Sequence, residues 1–466
     1  MSARHAGAVG ISVGILVAGL ALAAHAAAPS FDAQVDAAAA EVLKSSGVPS
    51  ASVAVIRDGK VVLVRAYGQA RIEPPTGASP AMRYGIGSIS KQFTAAAIML
   101  LVEQGKLTLD DPVAKYFPAL TRANEVKIRD LLNHTSGYRD YWPQDYVPAS
   151  MLAPITVEQL MRNWATLPLD FEPGTQYQYS NTGYVIAGAI AEKVAGQPLV
   201  EMLHQRIFEP LGMKSVVDIN LGRLGPEDPT GYLRYTLGPP RPAPKEGAGW
   251  LFAAGELAMT AADLARWDLA LLDGKVLKPE SFAAMSTTRV LANGASAQYG
   301  LGLDVYLQSG RRVLEHGGEV SGFVAENVLY PDQQAAIVVL TNQDASGAAE
   351  QLGERIRDLL FVGESPQTAR QLARARSIFD GLQHGVIDRN LFTTNGNAYF
   401  SAQALRDAQA SLAPLGKPQN FRQLSESDRG GLRTRRYELK FASRTLMVVA
   451  RELPDGRFEQ YQLQAQ

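Results

Sequence analysis

The sequence predicts an α+β fold in which strands from the two ends of one domain close around helices, followed by a smaller α+β domain. Three observations point there. Two apolar runs, 51–56 and 61–66, flank Asp58-Gly59, a strong hairpin signal. Four extended segments gather at 299–307, 313–316, 324–330 and 335–341, with Pro331-Asp332 as a turn between the last two. Helical periodicity fills the stretch between them, at 91–104, 156–164, 184–195 and 261–272. At 466 residues the chain is about three times a typical single domain, so more than one domain is expected.

The first residues read as an export signal. Arg4 and His5 form a short polar start, an apolar run covers 8–24, and Ala24-His25-Ala26 has the form of a cleavage site. Cleavage after Ala26 predicts a signal peptide over 1–26 and a periplasmic or secreted protein with no stable membrane insertion. The alternative is an uncleaved anchor, because 8–28 could almost span a bilayer. Gly10, Gly14 and Gly19 interrupt the run and favour cleavage. Next, Phe31, Val35, Val42 and Leu43 share one helical face, and Gly47 suits the helix stop. Residues 352–361 look helical again. The first domain is therefore expected over 30–362, with Gly363-Glu364-Ser365-Pro366 as linker. The second, 366–466, has helical patterns at 368–382 and 402–412. Its strand patterns lie at 421–425, 432–441, 445–453 and 457–463, with turns at Asp428-Arg429-Gly430-Gly431 and Asp455-Gly456.

Composition excludes several functions. Lys and Arg number 45 against 46 Asp and Glu, so a basic nucleic-acid binder and an acidic tail are out. There is no cysteine, which removes disulfides, thiolate nucleophiles, Cys-held zinc and iron–sulfur clusters. None of the six histidines stands in an H-E-x-x-H pattern. No metal or other cofactor is expected, and the partner is a small-molecule ester, amide or peptide. Nothing in the sequence settles the oligomeric state.

Three motifs carry chemistry. Ser88-Ile89-Ser90-Lys91 opens an apolar helical stretch, so Ser88 and Lys91 are neighbours on one helix face. A serine hydroxyl needs a base to become a nucleophile. A lysine serves as that base once burial lowers its proton affinity. Chance supplies about two S-x-x-K strings in a chain this long, so this motif alone decides little. Tyr179-Ser180-Asn181 follows on a loop. A tyrosine hydroxyl can relay a proton and an asparagine amide can both donate and accept; taken alone, the segment reads as a turn with a core tyrosine. His316-Gly317-Gly318 comes last, at the end of an expected strand, where two glycines permit close backbone approach. A lone His-x-Gly means little, since His5-Ala6-Gly7 is another copy. The joint order raises the signal.

With these motifs in this order, residues 31–345 resemble the serine β-lactamase and penicillin-binding-protein superfamily, specifically the class C β-lactamase-like serine hydrolases. Tyr84-Gly85-Ile86-Gly87-Ser88, Leu131-Leu132-Asn133-His134-Thr135-Ser136-Gly137, Pro210-Leu211-Gly212-Met213, Ala254-Gly255 and Leu340-Thr341-Asn342 look like this group. The resemblance implies an antiparallel sheet flanked by helices plus a helical subdomain. It implies Ser88 as acylated nucleophile, Lys91 as its activator, Tyr179 as partner base and Asn181 as orienter of the substrate amide. His316, heading the third motif, is the fourth catalytic candidate, able to donate or accept near neutral pH. The N–H groups of Ser88 and Glu319 would form the oxyanion hole beside Gly318. His134 belongs to a marker without a chemical role. The C-terminal segment resembles small curved-sheet domains appended to such hydrolases, including nuclear-transport-factor-like cones.

One departure matters. The β-lactamases of this group carry Lys-Thr-Gly where this chain has His-Gly-Gly. A histidine is mostly neutral at pH 7, Gly317 has no hydroxyl, and Glu319 adds negative charge, so an anionic leaving side should bind weakly. This favours an esterase or a D-amino-acid peptidase or amidase. A β-lactamase or DD-carboxypeptidase is the alternative, and a non-catalytic penicillin-recognising receptor is a further one. An α/β-hydrolase is disfavoured, because no Gly-x-Ser-x-Gly elbow occurs.

Overall fold

The computed structural model describes residues 29–144, 146–222, 224–361, 366–429 and 431–465. The expected signal peptide and nearly all of the expected linker lie outside the described residues. A seven-stranded antiparallel sheet runs in the order Thr76–Gly77, Lys60–Arg71, Ser50–Arg57, Ala335–Thr341, Phe323–Tyr330, Arg311–Val320, Asp304–Gln308. The early hairpin and the late strands meet at its centre, where Val53 opposes Val339. Asp58 and Gly59 both take positive φ, 51° and 69°, as a tight hairpin of this twist requires.

Side-chain alternation divides the core. Val53, Val55, Ile337 and Val339 face a layer made by the helices Phe31–Ser46 and Ala348–Leu360. Ala54, Ile56, Val338 and Leu340 face the larger core, which holds the helices Ser90–Glu103, Asn181–Ala195 and Ala261–Leu272. With both faces covered, these strands read as unbroken apolar runs. Each fully buried Val or Ile contributes about 1.5–3 kcal/mol. The first helix begins at Ser30, whose hydroxyl accepts from the Ala33 N–H, and stops at Gly47 in the left-handed conformation.

Three expectations need correction. Residues 299–307 do not form one strand; it starts only at Asp304. Gly302 has φ 76°, and a Cβ on Gly300 would lie 2.0 Å from the Met285 carbonyl, so the chain bends there and presses on its neighbour. His316 is not at a strand end: the strand continues to Val320. The helix expected over 156–164 is Val157–Leu160, capped by Thr156 and widened into a π-turn over Met161–Ala165.

The C-terminal β domain is a four-stranded antiparallel meander: Asn420–Arg429, Leu432–Lys440, Thr445–Glu452 and Phe458–Ala465. The helix Pro366–Gln383 packs Ile378, Phe379 and Leu382 onto Phe421, Leu439 and Val448, forming a separate core. Arg435 is buried there between Glu426 and Glu452, at 2.8 and 2.7 Å. The strand Asn420–Arg429 lies beside the edge strand Asp304–Gln308. Among the described residues no helix is long and apolar enough to cross a membrane.

Candidate active site

The helix Ser90–Glu103 is entered through a 3₁₀ turn over Gly87–Ile89, and this turn carries Ser88. The strand Arg311–Val320 passes directly against it. A Cβ on Gly318 would lie 1.9 Å from the Ile86 carbonyl oxygen and 3.2 Å from the Ser88 nitrogen. A Cβ on Gly87, where φ is 50°, would lie 2.5 Å from the Glu319 nitrogen. Glycine at these two positions lets turn and strand touch, so the main chain of Glu319 stands beside that of Ser88. The Ser90 hydroxyl, accepting from the Leu257 N–H at 3.1 Å, ties down the helix start.

Lys91 is fully buried one turn beyond Ser88. Its Nζ lies 2.9 Å from Ser88 Oγ, 2.7 Å from Asn181 Oδ1 and 2.8 Å from the Ala254 carbonyl. Burial pulls this ammonium down to about 7, while the charge of Asp140 works the other way. The three contacts then sort themselves. Asn181 Oδ1 and the Ala254 carbonyl only accept, so a neutral amine spends both N–H groups on them. Its lone pair is left for the Ser88 O–H. A helix row, the first residue of a second helix and a distant carbonyl thus converge on one atom.

Tyr179 faces the same serine. Burial pushes its phenol well above the ordinary value, against the pull of its hydrogen bond with Ser88. It is therefore a phenol at neutral pH. His134 holds the tyrosine loop: Nδ1 accepts from the Ser180 N–H at 3.1 Å, and its ring lies 4.2 Å from the Tyr179 ring. Burial holds His134 well below its usual range, so it is neutral.

His316 sits behind the site. It is 3% exposed and lies 6.2 Å, ring to ring, from Tyr179. Nδ1 meets the Gly317 carbonyl at 2.5 Å and Nε2 meets the Tyr299 hydroxyl at 2.7 Å, so both nitrogens are engaged inside the protein. Burial and Lys91 bring it down to about 3. Asn181 lines the cavity and is also held from behind. Its carbonyl is occupied by Lys91 and its amide reaches Asp140 Oδ2 at 3.3 Å.

A cavity of about 460 Å³ opens over Ser88, Tyr179, Asn181 and Glu319. Tyr141, Trp142 and Tyr146 give it an aromatic wall. Asp140, Glu319 and Asp344 give it three carboxylates, and no Lys or Arg lines it among the described residues. His316 is not part of the lining. The sequence reading missed two participants. Asp140 stands three residues beyond the Leu131–Gly137 marker, a position available as a signal. The Ala254 carbonyl leaves no signal in side-chain identity, although Ala254-Gly255 already looked familiar.

The β-lactamase family model matches residues 35–361. A D-aminopeptidase from Brucella anthropi is 30% identical over 340 residues, covering 72% of this chain and 64% of the relative. The chain thus spans less than two thirds of that relative's length. The structure of a D-stereospecific amidohydrolase from Streptomyces sp. superposes with a TM-score of 0.61 at 28% identity, covering 72% of this chain and all of that one. An octameric penicillin-binding protein homologue from Pyrococcus abyssi shares the fold at 22% identity and TM-score 0.60, covering 92% of this chain and 99% of its own. With the β-lactamase family model matching most of its length, and Ser88 on a tight turn beside the buried Lys91 and the Tyr179 segment, the chain belongs to the β-lactamase family.

Proposed function

We propose that this chain is an exported serine hydrolase that forms an acyl-enzyme on Ser88 and cleaves amides or peptides of D-amino acids, and simple esters. The observation that carries the reading is the Lys91 amine, 2.9 Å from Ser88 Oγ with its other two directions taken by acceptors. The Ser88 proton passes to Lys91 as Oγ attacks the carbonyl carbon. The N–H groups of Ser88 and Glu319 receive the developing oxyanion. The leaving amine takes a proton delivered from the Lys91 ammonium through the Tyr179 hydroxyl. Water then attacks the ester, and Lys91 again accepts the proton.

The D-amino-acid preference draws on the relatives, one a D-aminopeptidase and one a D-stereospecific amidohydrolase. The cavity supports it with charge. Three carboxylates and no lining cation suit a substrate with a free ammonium and disfavour a carboxylate beside the scissile bond, as in penicillins. Intact mass tests the mechanism: a fluorophosphonate should add one adduct to the wild type and none to Ser88→Ala. Turnover of D-alanine amide against L-alanine amide tests the stereochemistry. An unlabelled wild type would remove the hydrolase reading, and an L preference would remove its stereochemical part.

A further inference from the structure

We infer that Asp140 is a positioning residue for the general base, holding the Asn181 amide in the one orientation that leaves the Lys91 lone pair aimed at Ser88. The inference rests on the serine-hydrolase reading and adds the group that makes Lys91 work.

The chain of contacts is short. Asp140 Oδ1 accepts from the Asn181 backbone N–H at 3.0 Å and from the Trp142 N–H at 3.2 Å. Asp140 Oδ2 accepts from Asn181 Nδ2 at 3.3 Å. A carboxylate only accepts, so the NH₂ end of Asn181 must face it. The carbonyl end then faces Lys91, at 2.7 Å. If the amide were reversed, its NH₂ would point at the amine and compete for the lone pair that Ser88 needs. Asn181 cannot choose between these orientations by shape, because the two ends of an amide are nearly isosteric. The charge of Asp140 chooses.

Asp140 is itself well held. Asn181 is the first residue of the helix Asn181–Ala195, where free N–H groups favour an anion. The preceding Arg139 carbonyl accepts from the Thr182 hydroxyl at 2.7 Å, and the Arg139 guanidinium pairs with Asp170 at 2.9 Å. The groups facing Lys91 are Ser88, His134, Tyr179, Tyr184, Asp140 and His316. Burial keeps both histidines and both tyrosines neutral, so Asp140 supplies the charge that stabilises the Lys91 ammonium.

Asp140→Asn tests this. The variant keeps an acceptor for the two backbone N–H groups but turns an NH₂ toward Asn181. On p-nitrophenyl butyrate, which carries no ammonium for the cavity carboxylates to hold, kcat should fall about 10²-fold, a typical share of general-base catalysis, with KM little changed. The acid limb of the pH–rate profile should move to lower pH, because an ammonium-stabilising charge is gone. The reciprocal swap, Asp140→Asn with Asn181→Asp, rebuilds a donor facing an acceptor. It should recover most of the alkaline kcat plateau and move the limb to higher pH, since the carboxylate now touches Lys91. A kcat for the single variant near wild type overturns the inference. So does a loss with an unmoved limb, or a swap no better than the single change. If Asp140→Asn does not fold, the swap alone decides by its plateau and its limb. Fluorophosphonate labelling of the wild type is run alongside. If it fails, the hydrolase reading falls first, independently of Asp140.

Discussion

The Tyr299 hydroxyl donates to His316 Nε2 across 2.7 Å, and this bond fixes the charge of the third motif. Tyr299 is held as a phenol by burial. His316 Nδ1 faces a carbonyl, so the ring proton is there and Nε2 is the acceptor. The imidazole is neutral, enclosed and unavailable to a substrate carboxylate.

The substrate ranking follows. D-amino-acid amides and p-nitrophenyl butyrate should be turned over with higher kcat/KM than nitrocefin. Steady-state kinetics on the three decides it; a higher value for nitrocefin would mean that some other group anchors the carboxylate. Tyr299→Phe strands a buried acceptor on His316, which costs about 1–3 kcal/mol and should appear as a lower melting temperature.

The pH dependence should have one limb near neutrality. Burial sets Lys91 at about 7, and the base works only when unprotonated. Activity is therefore low below 7, rises through it and levels above. His316, at about 3, adds no second limb in this range. A kcat/KM that is flat from pH 6 to about 8 would show that Lys91 is not the base.

Lys91→Ala and Tyr179→Phe should each cost roughly 10³-fold in rate, and the double variant should lose little more, because both serve one proton path. Fully additive losses would assign one of them to a separate task.

Gly318→Ala places a methyl carbon 1.9 Å from the Ile86 carbonyl, a contact neither backbone can relieve without separating. The turn carrying Ser88 must then move away from Glu319. Loss of one oxyanion donor costs about 10²–10³-fold in kcat. Acylation by fluorophosphonate at near wild-type rate, with an unchanged melting curve, would show that these two N–H groups do not act together.

A chain of residues 27–363 should fold and retain acylation of a small ester. Every proposed site residue precedes the cut, and the C-terminal β domain packs its own core around Phe379, Leu439 and Val448. The cut uncovers the edge strand Asp304–Gln308, which Asn420–Arg429 lies beside, so solubility should drop. Thermal melting and ester turnover against a chain of residues 27–466 measure both effects. An inactive product would place the end of the hydrolase domain further along the chain.

Local signals explain what was legible in the sequence. Asp58-Gly59 favours a turn of positive φ, β-branched apolar runs bounded by turn signals favour strands covered on both sides, and the i, i+3 spacing makes Ser88 and Lys91 neighbours where the 3₁₀ turn enters its helix. Those features depend on neighbours in the chain, and the order of the three motifs together with the further marker segments carried the resemblance. The tertiary structure decided what depends on neighbours in space. It ran the third motif's strand on past His316 and closed Tyr299 over that histidine, leaving it neutral behind the site. It brought the Ala254 carbonyl and Asn181 to Lys91 and set Asp140 behind Asn181. Protonation and amide orientation are set by burial and by which donors and acceptors meet across the core, and no run of adjacent residues encodes such a meeting.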